Sequence, residues 1–359
     1  MPRGGEKISV IGMGSSVIGE RPRDEVTATV RMAYSLGINY FDMAGGHASN
    51  FEAYGEALDG IRDKVYLQVH FGADYTSGEY GWTTELAEIK KSVKWQLEKL
   101  RTDYIDFGMI HCIDEKSDLD AYIENGVLDY IKDLKDKGVV KHIGLSSHTP
   151  SLVNKILDMN IVDVVMFSIN PIYDYGKGEF GFGENAERRE LYARCERERV
   201  GITVMKPYCG GQLLDAEQSP FGVALTKNQC IAYALAKPGV VTVLPGYGSE
   251  KELLETLEYF NADESAKDYS AISGFAPADT MGKCVYCRHC HPCPAGLDIA
   301  LINKYYDLAV LGDNLARDHY LTLDKNAGDC IECGHCDSRC PFGVHQSERM
   351  KKINGYFSR

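Results

Sequence analysis

The chain has 359 residues, of which 44% are hydrophobic and 25% are charged, as expected of a globular protein with one large domain and one small domain. Its formal net charge of -13 at pH 7 argues against partners with a dense negative surface, so we expect no nucleic acid and no membrane as partner. No apolar run of about eighteen residues occurs, and the first residues lack a secretory signal pattern, which together predict a cytoplasmic protein.

Short apolar runs alternate eight times with longer amphipathic stretches between residues 8 and 260. Each run is bounded by turn residues, as is typical of buried parallel strands. The stretches at 25–36, 85–100, 127–137 and 251–259 have apolar residues three or four positions apart, which predicts helices. The alternation predicts a (β/α)8 TIM barrel rather than an open doubly wound sheet, because no GxGxxG follows the first run. The runs are 8–11, 38–42, 65–69, 104–110, 142–147, 164–168, 201–207 and 241–246.

The composition changes after the eighth helix pattern. Residues 261–283 are rich in Ala, Asp, Ser and Gly, and most of the cysteines follow them. We therefore expect a barrel domain over residues 1–262 and a small ferredoxin-type domain over residues 263–359. The helix-like segment 297–311 between the two groups of cysteines predicts a helical insertion in that small domain.

Eight of the 12 cysteines form two closely spaced runs, each ending in Cys-Pro, which favours iron–sulfur ligation in a reducing compartment. In such pairs of runs the first three cysteines hold one 4Fe-4S cluster and the fourth crosses to the other. The first run has two residues instead of three before its last cysteine, and structural zinc is the alternative interpretation. We predict two clusters, one on Cys284, Cys287, Cys290 and Cys340 and the other on Cys330, Cys333, Cys336 and Cys293.

Polar residues stand at the carboxyl ends of neighbouring predicted strands, where barrel enzymes place their chemistry. Asp42 ends the second strand and His47 follows it, His70 ends the third, and His111 ends the fourth. Imidazoles and a carboxylate exchange protons near neutral pH, so we predict that these four residues are catalytic. A metal site made by the three histidines with Asp42 is a second interpretation.

Several segments together resemble the aldo-keto reductase family, in its branch with a C-terminal ferredoxin-like domain. The segments GINYFDMAGGH, DYIDFGMIH, MKPYCGG and VLPGYGSEKELLETLEY are similar to the family's strand ends and cofactor-phosphate helix. The segments CVYCRHCHPCPAGLDI and CIECGHCDSRCPFGV are similar to the cluster module of that branch. The resemblance covers essentially the whole chain.

The resemblance implies a catalytic quartet of Asp, Tyr, Lys and His, and a hydride supplied by a nicotinamide. Asp42 and His111 match the quartet, whereas His47 stands at the Tyr position and His70 at the Lys position. His47 would then donate the proton, with His70 or Asp42 adjusting its charge. We expect an oxidoreductase acting on a small carbonyl-type substrate. The alternatives are a lyase or dehydratase that uses the histidines for elimination, and an electron-transfer protein with a vestigial barrel.

The resemblance also implies that NADP(H) is a possible cofactor. A redox partner such as ferredoxin or flavodoxin is a further expectation. Ser249 is equally suited to cap a helix. The sequence does not identify substrate contacts; the loops over the strand ends contain aromatic residues that could equally serve in packing, and these loop residues are Trp82, Tyr173, Tyr175, Tyr208 and Cys209. The predicted cofactor contacts are Ser146, Ser147, Asn170, Met205, Lys206, Gly246, Gly248, Ser249 and Lys251.

Overall fold

The structure is a computed structural model that describes residues 1–44, 47–276 and 280–358. Eight parallel strands form one sheet, and a separate antiparallel hairpin follows the third of them. The strands are β1 (Met13–Gly14), β2 (Tyr40–Asp42), β3 (Tyr66–Phe71), the hairpin strands β4 (Ala73–Asp74) and β5 (Gly81–Trp82), β6 (Ile105–Ile110), β7 (Val140–Ser147), β8 (Val164–Ser168), β9 (Gly201–Met205) and β10 (Val240–Val243).

The sheet closes into a barrel. Its order is β1-β2-β3-β6-β7-β8-β9-β10, and parallel bridges join Ile11 to Val243 and Gly14 to Gly246 across the first and last strands. Closure leaves no free sheet edge. The predicted (β/α)8 barrel is confirmed.

Helices separate the barrel strands, and their buried residues recur with helical spacing. In the fifth helix, Val127, Leu128, Ile131 and Leu134 are the buried residues, which is the apolar stripe that a helix packed on a sheet requires. The helices are α1 (Arg23–Ser35), α2 (Ser49–Ala57), α3 (Leu86–Lys99), α4 (Lys116–Glu124), α5 (Val127–Asp136), α6 (Pro150–Asp158), α7 (Pro171–Asp174), α8 (Asn185–Arg197), α9 (Lys227–Leu235), α10 (Glu250–Leu257), α11 (Ile299–Val310), α12 (Asn314–Leu321), α13 (His335–Arg339) and α14 (Gln346–Phe357).

The first strand differs from its prediction. The apolar run 8–11 contributes one bridge, at Ile11, and the strand itself is Met13–Gly14. The reason lies in two hydrogen bonds between side chain and backbone: Ser9 N–H donates to Asn39 Oδ1, and Asn39 N–H donates to Ser9 Oγ. These bonds replace the ladder that would have extended the strand toward residue 8.

The chain divides into two compact units. Unit 1 contains residues 1–169, 200–207 and 241–258, and includes nearly all of the barrel sheet. Unit 2 contains residues 170–199, 208–240 and 259–359, and includes both cysteine runs. The predicted domain boundary after residue 262 remains a prediction.

Unit 2 has its own apolar core and a buried ion pair. Ile302, Ile353 and Phe357 are buried where α11 and α14 meet, and the rings of Tyr320 and Phe357 stack with centroids 3.7 Å apart. Arg188 Nε lies 2.8 Å from Asp174 Oδ1, with both side chains buried. Among the described residues, no helix has the length and hydropathy needed to cross a membrane.

Candidate active site

Three of the four predicted catalytic residues form one line of hydrogen bonds inside unit 1. His70 Nε2 lies 2.8 Å from Asp42 Oδ1, and His70 Nδ1 lies 2.9 Å from His111 Nδ1. The residues meet because β2, β3 and β6 are neighbours in the sheet, and all three side chains are buried. Adjacent strands thus bring together residues that are about thirty to forty positions apart in the chain.

The line of contacts fixes which nitrogen carries each proton when both rings are neutral. A carboxylate only accepts hydrogen bonds, so His70 Nε2 carries a proton and donates it to Asp42. His70 Nδ1 is then an acceptor, and His111 Nδ1–H donates to it. His111 Nε2 is left as an acceptor at the outer end. We call this line, Asp42–His70–His111, the relay.

The buried carboxylate at the inner end of the relay has a second donor. Gln68 Nε2 donates to Asp42 Oδ1 over 2.7 Å. The Gln68 amide is oriented by the Tyr40 hydroxyl, which donates to its Oε1 over 2.7 Å, and by Thr203 Oγ1 at 3.3 Å. Hydrogen bonds therefore compensate this buried charge, since no described Lys or Arg forms an ion pair with Asp42.

A residue that the sequence analysis missed stands at the outer end of the relay. Tyr80 lies between the hairpin strands β4 and β5, and its hydroxyl is 3.0 Å from His111 Nε2. Burial, and then the charge of Cys112, raise the pKa of Tyr80 to about 12, so it is a phenol at neutral pH. Tyr80 is 46% exposed, so it joins the buried relay to the barrel mouth. The signal in the sequence was the turn-rich, aromatic segment after the third strand.

The hairpin and a helix hold His111 in place from its backbone side. Trp82 Nε1 donates to the His111 carbonyl over 3.2 Å, and the Tyr122 hydroxyl lies 3.3 Å from the same carbonyl oxygen. Burial, and then the neighbouring His70, put the pKa of His111 well below its ordinary value. His111 is therefore neutral at physiological pH, as the proton order of the relay requires.

His47 is not part of this arrangement. Its side chain is exposed, and within the described ranges its backbone carbonyl accepts a hydrogen bond from Asn50 N–H. Gly45 and Gly46, which precede it, lie outside the described residues. The role of His47 as proton donor stays a prediction, and the phenol beside His111 belongs to Tyr80.

The predicted cluster ligands gather into two groups in unit 2. Each group lines its own small cavity, in the combination that the crossing pattern predicts, and all eight side chains are free thiols. Four thiols around one cavity are the donor set that a 4Fe-4S cluster takes. The first cavity is lined by Cys284, Cys287, Cys290 and Cys340, and the second by Cys293, Cys330, Cys333 and Cys336.

Comparison with protein families decides the relationship. The model for the aldo/keto reductase family matches residues 10–229. The chain belongs to the aldo/keto reductase family. The model for a 4Fe-4S dicluster domain matches residues 280–344, so an iron–sulfur domain follows the reductase domain in the sequence.

Curated relatives and solved structures agree with this assignment. The chain is 32% identical over 288 residues to "L-galactose dehydrogenase" from Arabidopsis thaliana, covering 70% of this chain and 84% of that protein. It is 27% identical over 278 residues to "Uncharacterized oxidoreductase YqkF" from Bacillus subtilis, covering 71% and 88%. The holo form of aldo-keto reductase AKR11C1 from Bacillus halodurans superposes with a TM-score of 0.61 at 23% identity, covering 76% and 93%. An aldo/keto reductase from Klebsiella pneumoniae in complex with NADP and acetate gives 0.55 at 18% identity, covering 76% and 93%.

The positions at which the family would hold a nicotinamide ring have local partners in this reductase. Ser147 Oγ donates to the Ile113 carbonyl over 2.6 Å, and Ser146 Oγ accepts from Cys112 N–H at 3.3 Å. Met205 packs on the apolar cluster in the barrel interior, and Lys206 has a left-handed backbone with φ of 55°. In unit 2, Asn170 Oδ1 accepts from Tyr173 N–H and caps α7.

The phosphate end of the predicted cofactor site is acidic. Gly248 N–H donates to Glu252 Oε2 over 2.8 Å, so a carboxylate already occupies a donor at the start of α10. Ser249 is the N-cap and accepts from Glu252 N–H. The Lys251 side chain is 86% exposed, and its nearest carboxylate is Glu255 at 3.8 Å. These residues fit poorly the additional phosphate that NADP has and NAD lacks. That phosphate would have to displace the Glu252 carboxylate or lie against it. Gly246 lies between β10 and α10, where the Val17 side chain fills the space that a Cβ would need.

The described residues do not converge on a metal in the relay. Each histidine there uses its nitrogens on different neighbours, so Asp42, His70 and His111 form a line instead of surrounding a point. A separate group, Cys112, Asp114 and His148, has ligand atoms within 4.8 Å of one another. There the Asp114 carboxylate accepts from His148 N–H and from His148 Nδ1, which makes it a hydrogen-bonded support for the loop after β7.

Proposed function

We propose that this chain is an iron–sulfur oxidoreductase that interconverts a small alcohol and its carbonyl compound at the barrel mouth, with the relay moving the proton. The observation that carries the proposal is the unbroken line of hydrogen bonds from Tyr80 through His111 and His70 to Asp42. The Tyr80 end of this line is accessible to a substrate, and the Asp42 end is a buried carboxylate. The line can therefore carry a proton from the substrate inward to Asp42.

The proton order of the relay favours alcohol oxidation. A substrate hydroxyl gives its proton to the Tyr80 oxygen while the Tyr80 proton moves to His111 Nε2. The His111 Nδ1 proton then passes to His70 Nδ1, and the His70 Nε2 proton passes to Asp42. Each transfer follows a hydrogen bond of 2.8 to 3.0 Å, and each group ends with its usual valence. The reverse order delivers the same proton to the oxygen of a reduced carbonyl.

The replacement of the family's Lys by His70 is what allows this transfer. A lysine at that position is a fixed cation that acidifies its neighbour, whereas a neutral imidazole accepts a proton on one nitrogen and releases one from the other. The name of the Arabidopsis thaliana relative, L-galactose dehydrogenase, supports the oxidative direction. Polyhydroxylated substrates of that size are therefore the first class to assay.

The electrons that leave the substrate carbon need an acceptor. A bound nicotinamide accepts them as a hydride, and 4Fe-4S clusters accept them one at a time. The acidic start of α10, with Glu252 on Gly248 N–H, favours NAD over NADP if a nicotinamide binds. Ferredoxin or flavodoxin is the class of partner that would take electrons from the clusters.

A turnover assay tests the proposal. Anaerobically purified, cluster-loaded protein is incubated with a panel of sugars and short alcohols, with NAD, NADP or an artificial electron acceptor. We expect a carbonyl product together with an equivalent amount of reduced acceptor. His111→Gln should abolish turnover, and His47→Gln should leave it within a few-fold of the parent. Loss of water from the substrate without reduction of any acceptor would establish the lyase alternative instead.

A further inference from the structure

We propose that a cavity in unit 2 binds an organic carboxylate with an apolar body beside the first cysteine group. The cavity has a volume of about 360 Å³ and is lined by α8, the segment after α9, the start of the first cysteine run and α11. This site is separate from the relay, and no step of the proposed oxidoreduction uses it.

Four cations line the cavity and have no ion pair among the described residues. They are Lys237, Arg189, Arg197 and Lys283, and none has a carboxylate within 4.0 Å in the described part of the chain. Lys237 is only 8% exposed, and its Nζ lies 3.6 Å from the centroid of the Tyr233 ring. A buried ammonium without a counterion is costly, and a bound anion removes that cost.

The buried acids in the wall are already compensated. Asp174 accepts from the guanidinium of Arg188 and from two tyrosine hydroxyls. Asp307 pairs with Arg349 and accepts from a third tyrosine hydroxyl. The remaining carboxylate, Glu190, is exposed. The cavity therefore has an excess of cations, although the chain carries a net charge of -13, and it should attract an anion.

The other lining groups determine the kind of anion. Apolar and aromatic side chains, including Tyr175, Ala193, Leu308 and Leu311, make up much of the wall. An inorganic ion would satisfy the cations but leave these surfaces in contact with water. A carboxylate on a ring-sized apolar body satisfies both.

The cavity lies next to the first cysteine group, so the spectrum of a cluster bound there can report ligand binding. Cys284 lines both this cavity and the cavity of the first cysteine group. An anion bound there changes the electrostatic surroundings of an iron ligand, and cluster properties respond to nearby charge. Binding should therefore alter the spectrum of the reduced cluster on Cys284.

Calorimetric titration of the cluster-loaded full chain tests the proposal, with benzoate as the probe and benzyl alcohol and inorganic phosphate as comparisons. We expect saturable binding of benzoate to one site per chain, and binding at least about tenfold weaker for the alcohol, which lacks the charge. Benzoate should also shift the electron paramagnetic resonance signal of the reduced cluster. Phosphate should bind more weakly than benzoate because it cannot cover the apolar wall.

Two variants make the assignment specific. Lys237→Met and Arg189→Gln should each weaken benzoate binding about tenfold or more, whereas Lys325→Gln, an exposed residue of the same unit paired with Asp329, should not change it. Arg189 is only partly buried, so its variant keeps the test valid if Lys237→Met does not fold. Equal binding of benzoate and benzyl alcohol, unchanged affinity in Arg189→Gln, or no saturable binding at all would overturn the proposal.

Discussion

The Nδ1 atoms of His70 and His111 lie 2.9 Å apart. Two imidazole nitrogens at this distance share one proton, because two lone pairs or two N–H groups would repel. Since Asp42 takes the other His70 proton, the shared proton resides on His111 in the neutral state. This contact therefore sets the position of every proton in the relay and leaves His111 Nε2 as an acceptor facing the Tyr80 hydroxyl.

Removal of the Tyr80 hydroxyl should slow the reaction strongly. Tyr80→Phe keeps the ring but loses the group that contacts His111 Nε2, and proton transfer by a positioned side chain is worth about 10²- to 10⁴-fold. We expect kcat to fall by at least about 10²-fold with a small change in KM. Glu79→Gln, the preceding residue on the same exposed loop, is the matched control and should retain parental kcat. Parental kcat in Tyr80→Phe would remove Tyr80 from the mechanism.

The crossing of the last cysteines can be tested one cluster at a time. Cys340 lines the cavity with Cys284, Cys287 and Cys290 although it belongs to the second run. Cys340→Ala should therefore perturb or remove the cluster on the first run, lowering the iron content by up to about half. Cys195→Ala, a buried cysteine of α8, should leave the iron content unchanged. A lost second-run signal in Cys340→Ala, with the first intact, would contradict the crossing.

Cofactor preference should depend on one carboxylate at the start of α10. Glu252→Gln removes the charge that accepts from Gly248 N–H, so NADPH binding should strengthen about threefold to tenfold while NADH binding changes less. Fluorescence titration with both nucleotides measures the difference. Glu255→Gln, which also removes one negative charge from α10 but lies in its second turn, should have a smaller effect. An equal gain in NADPH affinity in both variants would indicate that only the net charge of α10 matters.

Stability should depend on pH through His142. Burial by itself would lower the pKa of His142, but hydrogen bonds with Asp163 and Glu6 raise it. Because the folded pKa lies above the unfolded value of about 6.5, the stabilisation is complete below that pH and is lost as the pH rises through the folded pKa. The difference in Tm between the parent and His142→Asn should therefore be largest in mild acid and shrink above neutral pH. A difference that grows with pH would contradict this assignment.

The sequence predicted the barrel and the cysteine groups because both depend on repeating local patterns. Eight apolar runs and two Cys-Pro endings are visible without any long-range contact, and Asp42, His70 and His111 follow from the rule that strand ends meet. The first strand was misplaced because the side chains of Ser9 and Asn39 each accept a hydrogen bond from the other residue's backbone N–H. A hydropathy pattern does not reveal such hydrogen bonds.

The sequence could not predict which side chain meets His111. The family resemblance places His47 at the Tyr position; its side chain is exposed, and the hydroxyl that contacts His111 belongs to Tyr80, on a hairpin inserted after β3. A loop's conformation depends on packing, here the rings of Tyr75 and Tyr80 and the Trp82 hydrogen bond to His111. The same limit applies to Glu252, whose contact with Gly248 N–H depends on the side-chain rotamer.

The most direct test of the relay is ¹⁵N nuclear magnetic resonance of histidine-labelled protein at neutral pH, with the clusters oxidised. His70→Gln and His111→Gln assign the two signals. The relay predicts that His70 is protonated on Nε2 alone and His111 on Nδ1 alone. A His70 ring protonated on Nδ1, or protonated on both nitrogens, would contradict it.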